Sequence, residues 1–167
     1  MISDIEEMER LIAIYLSFAR GEGSEQAVVT DVAGLLEDVC AASRRGGASV
    51  SLSVTDGLVA RLRPEAMRRA LTNLIDNAAR HGSHIWVSAH PIGDAGARVF
   101  RILIDDDGPG IPKAQREILF RPFESAAPGG TGLGLAIARD IIGAHGGDVL
   151  LLDRPSVGLR VSIELPL

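Results

Sequence analysis

The segment LTNLIDNAARHG, residues 71–82, has the pattern of an amphipathic helix that ends at a glycine. Its Asn73 and Asn77 lie four residues apart, so they share one side of that helix. Asparagine is a mediocre helix former whose amide both donates and accepts hydrogen bonds. Two such amides indicate a polar target on their side of the helix. The remaining side suits a buried core: Leu71, Leu74, Ile75, Ala78 and Ala79.

Size and composition limit the possible functions. The chain has 167 residues, 46% of them apolar, which is enough for one domain with a sizeable core and a short appendage. The net charge of −5 disfavours nucleic acid as the main partner. The single cysteine, Cys40, permits no internal disulfide and no cysteine-based metal site, which fits a reducing compartment. No apolar run approaches the ~20 residues of a membrane span, and no signal peptide is recognisable.

The first 20 residues differ from the rest of the chain. Their apolar residues recur at steps of three and four, which is typical of a coiled-coil seam. Such a helix either folds back on its own domain or forms half of a dimerising hairpin. The following RGEGSEQ, residues 20–26, has the composition of a linker and favours the hairpin. The seam consists of Ile5, Met8, Ile12, Tyr15 and Ala19.

A mixed pattern of helices and strands follows the linker. Helices are predicted over 31–45, with Asp31 as N-cap, from Pro64 to the end of the opening segment, over 113–119 and over 131–145. Strands are predicted over 48–54, 58–62, 84–90, 97–106, 147–153 and 158–166. TDG, residues 55–57, predicts a hairpin turn between the first two strands. The expected class is α+β, with about five substantial, mostly antiparallel strands and three helices on one face.

Two glycine-rich stretches carry further chemistry. DDDGPGIP, residues 105–112, follows a strand, and its glycines let the backbone turn tightly and approach a ligand. Taken alone, it is equally well explained as a polar turn. GGTGLGLAIA, residues 129–138, leads into an apolar helix whose first N–H groups suit an anion. Neither stretch is a P-loop or a Rossmann fingerprint.

Four motifs in this order resemble the catalytic, ATP-binding domain of bacterial sensor histidine kinases. This domain belongs to the GHKL superfamily, shared with gyrase, Hsp90 and MutL. RALTNLIDNAARHG (69–82) resembles its N box, DDDGPGIP its G1 box, LFRPF (119–123) its F box and GTGLGLAIA (130–138) its G2 box. The resemblance implies a Bergerat fold, a two-layer α/β sandwich preceded by an N-terminal helix. It divides the chain into a partial dimerisation helix of the EnvZ type (1–20), a linker (21–26) and the catalytic domain (27–167).

The resemblance gives the asparagines a role. It implies that Asn77 is a magnesium ligand and that Asn73 supports it one turn earlier. A neutral amide oxygen can coordinate magnesium without repelling phosphates. Arg80 and His81 are placed to meet phosphate oxygens, although His81 is equally well explained as an ordinary residue at a helix end.

The other boxes complete the expected site. Asp106 matches the aspartate that accepts a hydrogen bond from the adenine amino group, which suits a carboxylate because it only accepts. Asp105 and Asp107 are expected to be solvated or capping. The further cofactor-binding residues implied are Gly108, Gly110, Ile111, Phe120, Phe123, Thr131, Gly132, Leu133 and Gly134.

One position discriminates within the superfamily. Gyrase and Hsp90 carry a water-activating glutamate four residues before the metal asparagine, and here that position is Asn73. Without a general base, the catalytic group Asn73, Asn77 and Arg80 is expected to hold ATP–Mg²⁺ for an external nucleophile. The resemblance implies that this nucleophile is a histidine on a dimerisation hairpin.

That histidine is not found in the chain. The histidines are His81, His84, His90 and His145, and none precedes the N box. We therefore expect a fragment of a larger kinase that binds ATP–Mg²⁺ but does not autophosphorylate. The implied partners are the histidine-bearing hairpin and a response regulator, with a homodimer possible through the N-terminal helix. The implied location is the cytoplasmic part of a membrane-bound sensor.

Two other functions share these motifs. A serine kinase acting as an anti-sigma factor carries the same boxes, but the heptad-like helix argues against it. A degenerate module without catalysis is disfavoured by the intact Asn77, Asp106 and glycines. The lid is short, with only ESAAPG (124–129) between Phe123 and Gly130 and no basic residue, so Arg121 is the nearest cation. Such a lid predicts weak closure over the nucleotide.

Overall fold

The computed structural model describes residues 25–122 and 132–167, together with 4–6, 8, 9, 11, 12, 15 and 16. The described residues between 4 and 16 are helical. The elements that follow are β1 Val28–Asp31, α1 Val32–Arg45, β2 Val50–Val54, β3 Val59–Leu62, α2 Pro64–His81, β4 Ile85–Ile92, β5 Val99–Asp106, α3 Lys113–Leu119, α4 Gly134–Ala144, β6 Asp148–Asp153 and β7 Leu159–Pro166.

The main sheet has five strands in the order β2-β4-β5-β7-β6. Only β2 and β4 pair in parallel, and the other three pairings are antiparallel. The long helices α1, α2 and α4 pack side by side, with α2 between the other two. The predicted α+β class, a mostly antiparallel five-stranded sheet with three helices on one face, is confirmed.

The predicted hairpin between the strands over 48–54 and 58–62, which are β2 and β3 in the structure, is wrong. Instead of pairing with β2, strand β3 pairs with β1, a strand that the sequence pattern did not predict. The turn does form, with Gly57 at φ 73°. However, the N–H of Thr55 donates to the carbonyl of Ala89, and the carbonyl of Leu58 accepts from Val32. These bonds carry the chain out of the main sheet after β2.

Two helix starts also differ in detail from the prediction. Asp31 occupies the N-cap position of α1, but its side chain makes no capping hydrogen bond. Helix α4 begins at Gly134 rather than at residue 131. Gly132 precedes it with φ 73°, a left-handed conformation that cannot continue a right-handed helix.

The core lies between the helices and one face of the sheet. Strand β5 alternates as a half-buried strand does: Phe100, Ile102 and Ile104 are at most 1% exposed and face the helices. Burying each such side chain contributes about 1.5–3 kcal/mol. Cys40 is also buried, and burial raises the pKa of its thiol to about 11. We call the other side of the sheet the open face; it carries Trp86, Arg101, Asp105, Arg160 and Glu164.

The described residues of the N-terminal helix present two apolar sides. Leu11 is buried and Tyr15 packs against the core, so one side lies on the domain. The other side is open to solvent and consists of Ile5, Met8, Ile12 and Leu16, each 46–59% exposed. Ala19 and residues 21–24 of the predicted linker lie outside the described residues. Within the part of the chain that is described, no helix has both the length and the hydrophobicity needed to cross a bilayer.

Candidate functional site

Helix α2 is held at its first turn by side chains from distant segments. The Glu25 carboxylate accepts the N–H groups of Glu65 and Ala66 at 2.8 and 2.9 Å. The N–H of Arg63, the N-cap residue, donates to Nε2 of His145 at 3.0 Å. Because Pro64 has no N–H, these three bonds satisfy the donors that a helix start leaves free. The beginning of α2 is therefore fixed in place without any cap from its own sequence.

The middle of α2 contacts the start of α4. Asn73 and Asn77 are half-buried, on the side away from the buried stripe that includes Leu74 and Ile75. The side-chain amide of Asn73 donates to the carbonyl of Gly134 at 3.4 Å. A Cβ added at Gly134 would lie 3.8 Å from the Cβ of Asn73, so the two helices are in close contact there. The predicted N box and G2 box are thus brought together.

The end of α2 contacts the predicted G1 box. A Cβ at Gly108 would lie 2.3 Å from the carbonyl oxygen of His81, the last residue of α2. A Cβ at Gly82 would come within 2.8–2.9 Å of Asp107 and Asp106. A side chain at Gly108 would have to displace the backbone of His81, and one at Gly82 would have to displace the side chains of Asp106 and Asp107. This double close approach places the end of β5 directly against the end of α2.

Of the three consecutive aspartates, Asp105 points to the open face. Its carboxylate accepts from Nε and Nη2 of Arg160 at 2.9 and 2.8 Å, and Nε of Arg154 lies 3.9 Å away. Asp105 is only 8% exposed. The expectation that it is solvated or capping is wrong, because its partner comes from β7, which lies 55 residues away in sequence. Donating these hydrogen bonds to the Asp105 carboxylate in turn raises the pKa of Arg160.

Asp107 binds the loop that follows α2. Its Oδ1 accepts the N–H groups of Ser83 and His84 at 2.7 and 3.1 Å, and its Oδ2 accepts the Ser83 hydroxyl at 2.8 Å. Hydrogen bonds from His84 and Ser83 lower the pKa of Asp107. Asp107 thus accepts from N–H groups of a loop beyond the end of α2 rather than from a helix start.

Asp106 lies between these two and faces the helices. It is 2% exposed, and its Oδ1 accepts the N–H of Gly108 at 2.9 Å. Burial raises the pKa of Asp106, while N–H donors of Gly108 and Leu159 and the nearby His81 lower it. A buried carboxylate with only part of its acceptor capacity used by backbone groups can receive a ligand's N–H donor.

Besides the four predicted boxes, the turn between β6 and β7 contributes to the site, and the sequence pattern did not predict this contribution. Gly158 has φ 121°, and a Cβ there would lie 1.7 Å from the carbonyl oxygen of Asp106. Its own carbonyl lies 3.5 Å from the place where a Cβ of Gly110 would be, and Gly110 also has a positive φ. The sequence pattern places Gly158 at the start of the last predicted strand, and no local signal relates it to Asp106.

The predicted F box lies beside α4. Phe120 is buried, and the Arg139 guanidinium lies 4.8 Å from its ring centre. The same guanidinium pairs with Glu117 of α3 at 2.8 Å. Leu133 is buried at the start of α4. Phe123 and Thr131, predicted to bind the nucleotide, lie outside the described residues.

Two further predicted site residues differ in burial, since Ile111 is buried and Arg80 is exposed. Ile111 is 9% exposed, and its carbonyl accepts Nε of Arg116 at 2.9 Å, which fixes the end of the G1 box to α3. Arg80 is exposed near the end of α2. Burial raises the pKa of the neighbouring Asp76, and the Arg80 charge lowers it. A phosphate contact by Arg80 or His81 stays a prediction.

The fold and the site together define a class of protein. A mixed sheet covered on one face by three long helices, with two amides along the middle helix and a buried strand-end carboxylate against the end of that helix, is the architecture of an α/β-sandwich ATP-binding domain. The chain belongs to the family of histidine kinase-, DNA gyrase B- and HSP90-like ATPases, whose family model matches residues 62–167.

Individual relatives agree with this family. The chain is 42% identical over 106 residues to the sensor histidine kinase GtrS of Pseudomonas aeruginosa, covering 62% of this chain and 22% of that protein. The solved mycobacterial sensor histidine kinase MprB superposes with a TM-score of 0.74 at 26% identity, covering 85% of this chain and 97% of that one. Full-length ShkA in complex with AMPPNP gives a TM-score of 0.77 at 27% identity, with 94% and 35% covered. The chain spans less than a third of the length of the curated relatives it matches.

Proposed function

We propose that the chain is the ATP–Mg²⁺-binding catalytic domain of a two-component sensor histidine kinase. It transfers the γ-phosphoryl group of ATP to a histidine on a dimerisation hairpin. The observation that carries the proposal is the position of α2, whose middle contacts the start of α4 through Asn73 and whose end contacts the loop after Asp106. One helix thereby borders both a carboxylate suited to adenine and a helix N-terminus suited to phosphates.

The nucleotide would lie along α2. Asp106 accepts a hydrogen bond from the adenine amino group, with Gly108, Gly110 and Ile111 beside the base. Phe120 and Phe123 anchor the lid, while Thr131, Gly132, Leu133 and Gly134 supply backbone N–H groups to the phosphates. Arg80 and His81 add positive charge at the end of α2. The AMPPNP complex of ShkA supports a nucleotide in a fold of this kind.

The side chains fit a magnesium ion that is brought in with the nucleotide. Among residues 25–122 and 132–167, no group of three His, Cys, Asp or Glu side chains could hold a metal ion by itself. The half-buried Asn77 offers one neutral oxygen, which matches a cation that is held mainly by phosphates and water. When bound, magnesium would neutralise charge on the phosphates. Asn77 would orient it, with Asn73 fixing the neighbouring turn.

The acceptor is a histidine rather than water. The position where a hydrolytic relative would carry a general base is Asn73, which donates its amide hydrogen to Gly134 and cannot take a proton from water. A neutral imidazole is a stronger nucleophile than water, and its unprotonated nitrogen can attack while the other ring nitrogen keeps its proton, so it needs no such base. The Pγ–N bond would form as the Pγ–O bond to ADP breaks, with the enzyme supplying alignment.

The division into a partial dimerisation helix (1–20), a linker (21–26) and a catalytic domain (27–167) belongs to the same proposal. The solvent-facing apolar side of Ile5, Met8, Ile12 and Leu16 supports a helical partner for the first segment, either a hairpin or a second copy. A response regulator would then receive the phosphoryl group. The proposal places this domain in the cytoplasm, where ATP is available.

The test is phosphoryl transfer to a separate hairpin. The chain is mixed with the histidine-bearing dimerisation hairpin of a relative such as GtrS and with γ-labelled ATP and magnesium. We expect acid-labile label on the hairpin, with Asn77→Ala reducing the rate at least about a hundredfold, the order expected when a positioned electrostatic group is lost. Asp94→Asn, on an exposed turn, is the matched control. Acid-stable label on a serine, or label on this chain alone, would contradict the proposal.

A further inference from the structure

Strands β5 and β7 are joined on the open face by two ion pairs of the same kind. Asp105 lies directly opposite Arg160, and Arg101 lies directly opposite Glu164. The first pair has two bonds, at 2.9 and 2.8 Å, and the second has one, at 2.5 Å. The two pairs also differ in their distance from the site, because Asp105 is adjacent to Asp106, whereas Arg101 lies four residues before Asp105 on β5.

The Asp105 pair is much more enclosed than the other one. The side chains of Asp105 and Arg160 are 11% and 28% exposed, compared with 35% and 46% for Arg101 and Glu164. Arg154 adds a second guanidinium 3.9 Å from Asp105, and that guanidinium stacks 4.0 Å from the Trp86 ring centre. A carboxylate this buried depends on its counter-charge, because an unpaired buried charge is costly.

The backbone of Asp106 is fixed from both sides. Before it, Asp105 is bound to β7, and after it, Asp107 is bound to the loop that follows α2. Its carbonyl also has Gly158 packed against it without room for a Cβ. If Arg160 is removed, the Asp105 carboxylate keeps only the Arg154 guanidinium, 3.9 Å away, and β5 loses its side-chain attachment to β7 directly before Asp106.

We propose that Asp105 and Arg160 are positioning residues that hold Asp106 in the pose that selects adenine over guanine. The proposal rests on the proposed function, because it assumes that Asp106 meets the base. Adenine presents an amino donor at the edge where guanine presents a carbonyl acceptor, and a carboxylate only accepts. Discrimination therefore depends on a fixed carboxylate, since a loosely held one could move away from the guanine carbonyl.

The neutralisation of Asp105 serves the same purpose. Three successive carboxylates would repel one another, and the Arg160 and Arg154 guanidinium groups offset the charge of the first. Asp106 is thereby left as an acceptor whose neighbours are both already paired.

The test compares the affinities for ATP and GTP, with magnesium, by calorimetry. In Arg160→Met the dissociation constant for GTP divided by that for ATP should fall about tenfold, mainly because ATP binds more weakly. This is the size expected for one lost hydrogen bond. Arg160→Lys, which keeps the charge without the paired geometry, should lie between Met and wild type. Arg101→Met removes an arginine from the other ion pair of the same two strands and should leave the ratio unchanged.

A ratio in Arg160→Met that is as unchanged as the one expected in Arg101→Met would overturn the proposal. The Asp105 pair would then be a merely structural contact. If Arg160→Met does not fold, Arg160→Lys carries the same comparison with a smaller expected fall, and an unchanged ratio there overturns the proposal too. Failure of the wild-type chain to bind ATP would instead count against the proposed function, so the two failures are distinguishable.

Discussion

At the scale of single residues, three adjacent aspartates have three different environments. Asp105 is paired with Arg160, Asp107 accepts hydrogen bonds from the loop after α2, and Asp106 faces the helices. Strand alternation explains why Asp105 and Asp106 face different sides of the sheet. A ligand role for Asp106 could be predicted only through the resemblance of residues 105–112 to the G1 box. The sequence could not show that Asp105 has a counter-ion, because that partner comes from β7.

Asp107→Asn should destabilise the fold in a pH-dependent way. The folded-state pKa of Asp107 is lowered, so its contribution to stability is present above the unfolded-state pKa of about 3.9 and is lost as pH falls through the folded value. At pH 7 the variant should melt a few degrees below wild type, because the amide offers one acceptor oxygen instead of two.

Thermal melts from pH 7 down to pH 3 check this expectation. The difference between the Asn variant and wild type should stay constant down to about pH 5 and shrink below about pH 3.9. Asp94→Asn, whose carboxylate makes no hydrogen bond among the described residues, serves as the control. A difference that grew on acidification would show that the loop does not depend on the ionised carboxylate.

At the scale of elements, α2 depends on segments far from it in sequence. Its periodicity and its Pro64 predicted both ends of the helix, because those signals are local. Its N-terminal partners, Glu25 and His145, come from some 40 residues before and 80 residues after the helix start. No local pattern could predict them. The same reason explains the wrong hairpin, since alternation identifies a strand but not the strand it pairs with.

Glu25→Ala should free the first turn of α2. Removing a side chain that accepts N–H groups at a helix start costs about 1 kcal/mol. Glu25→Gln, which keeps one acceptor oxygen, should cost less. Amide hydrogen exchange checks the location: Glu65 and Ala66 should exchange faster, while Arg63, held by His145, should change little. Uniformly faster exchange along α2 would show that Glu25 stabilises the whole helix rather than its first turn.

Both outer strands of the sheet are protected by an arginine from a helix. Nε of Arg44 donates to the carbonyl of Val50 at 3.0 Å on β2, and Nη1 of Arg116 donates to that of Leu151 at 3.4 Å on β6. A positively charged side chain on an exposed strand edge discourages pairing with another chain. Arg116 also pairs with Asp153, which fixes α3 against β6 just before the predicted lid.

At the scale of the whole molecule, the two faces of the sheet have separate roles. The helix side carries the amides, the glycines and Asp106, and the open face carries the ion pairs that fix the strand ends. The class and the order of the boxes could be predicted, because each box is a continuous segment with its own residue chemistry. The support from the β6–β7 turn could not, because Gly158 meets Asp106 only after the sheet has formed.

The most direct measurement of the central claim is calorimetric titration of the intact chain with ATP, with and without magnesium. We predict saturable binding that magnesium strengthens. Asn77→Ala should abolish the magnesium effect, and Asp106→Asn should weaken ATP binding at least about tenfold, as expected when a charged acceptor is replaced by an amide that also donates. Absence of binding at millimolar ATP and magnesium, or equal binding by wild type and Asp106→Asn, would contradict the account.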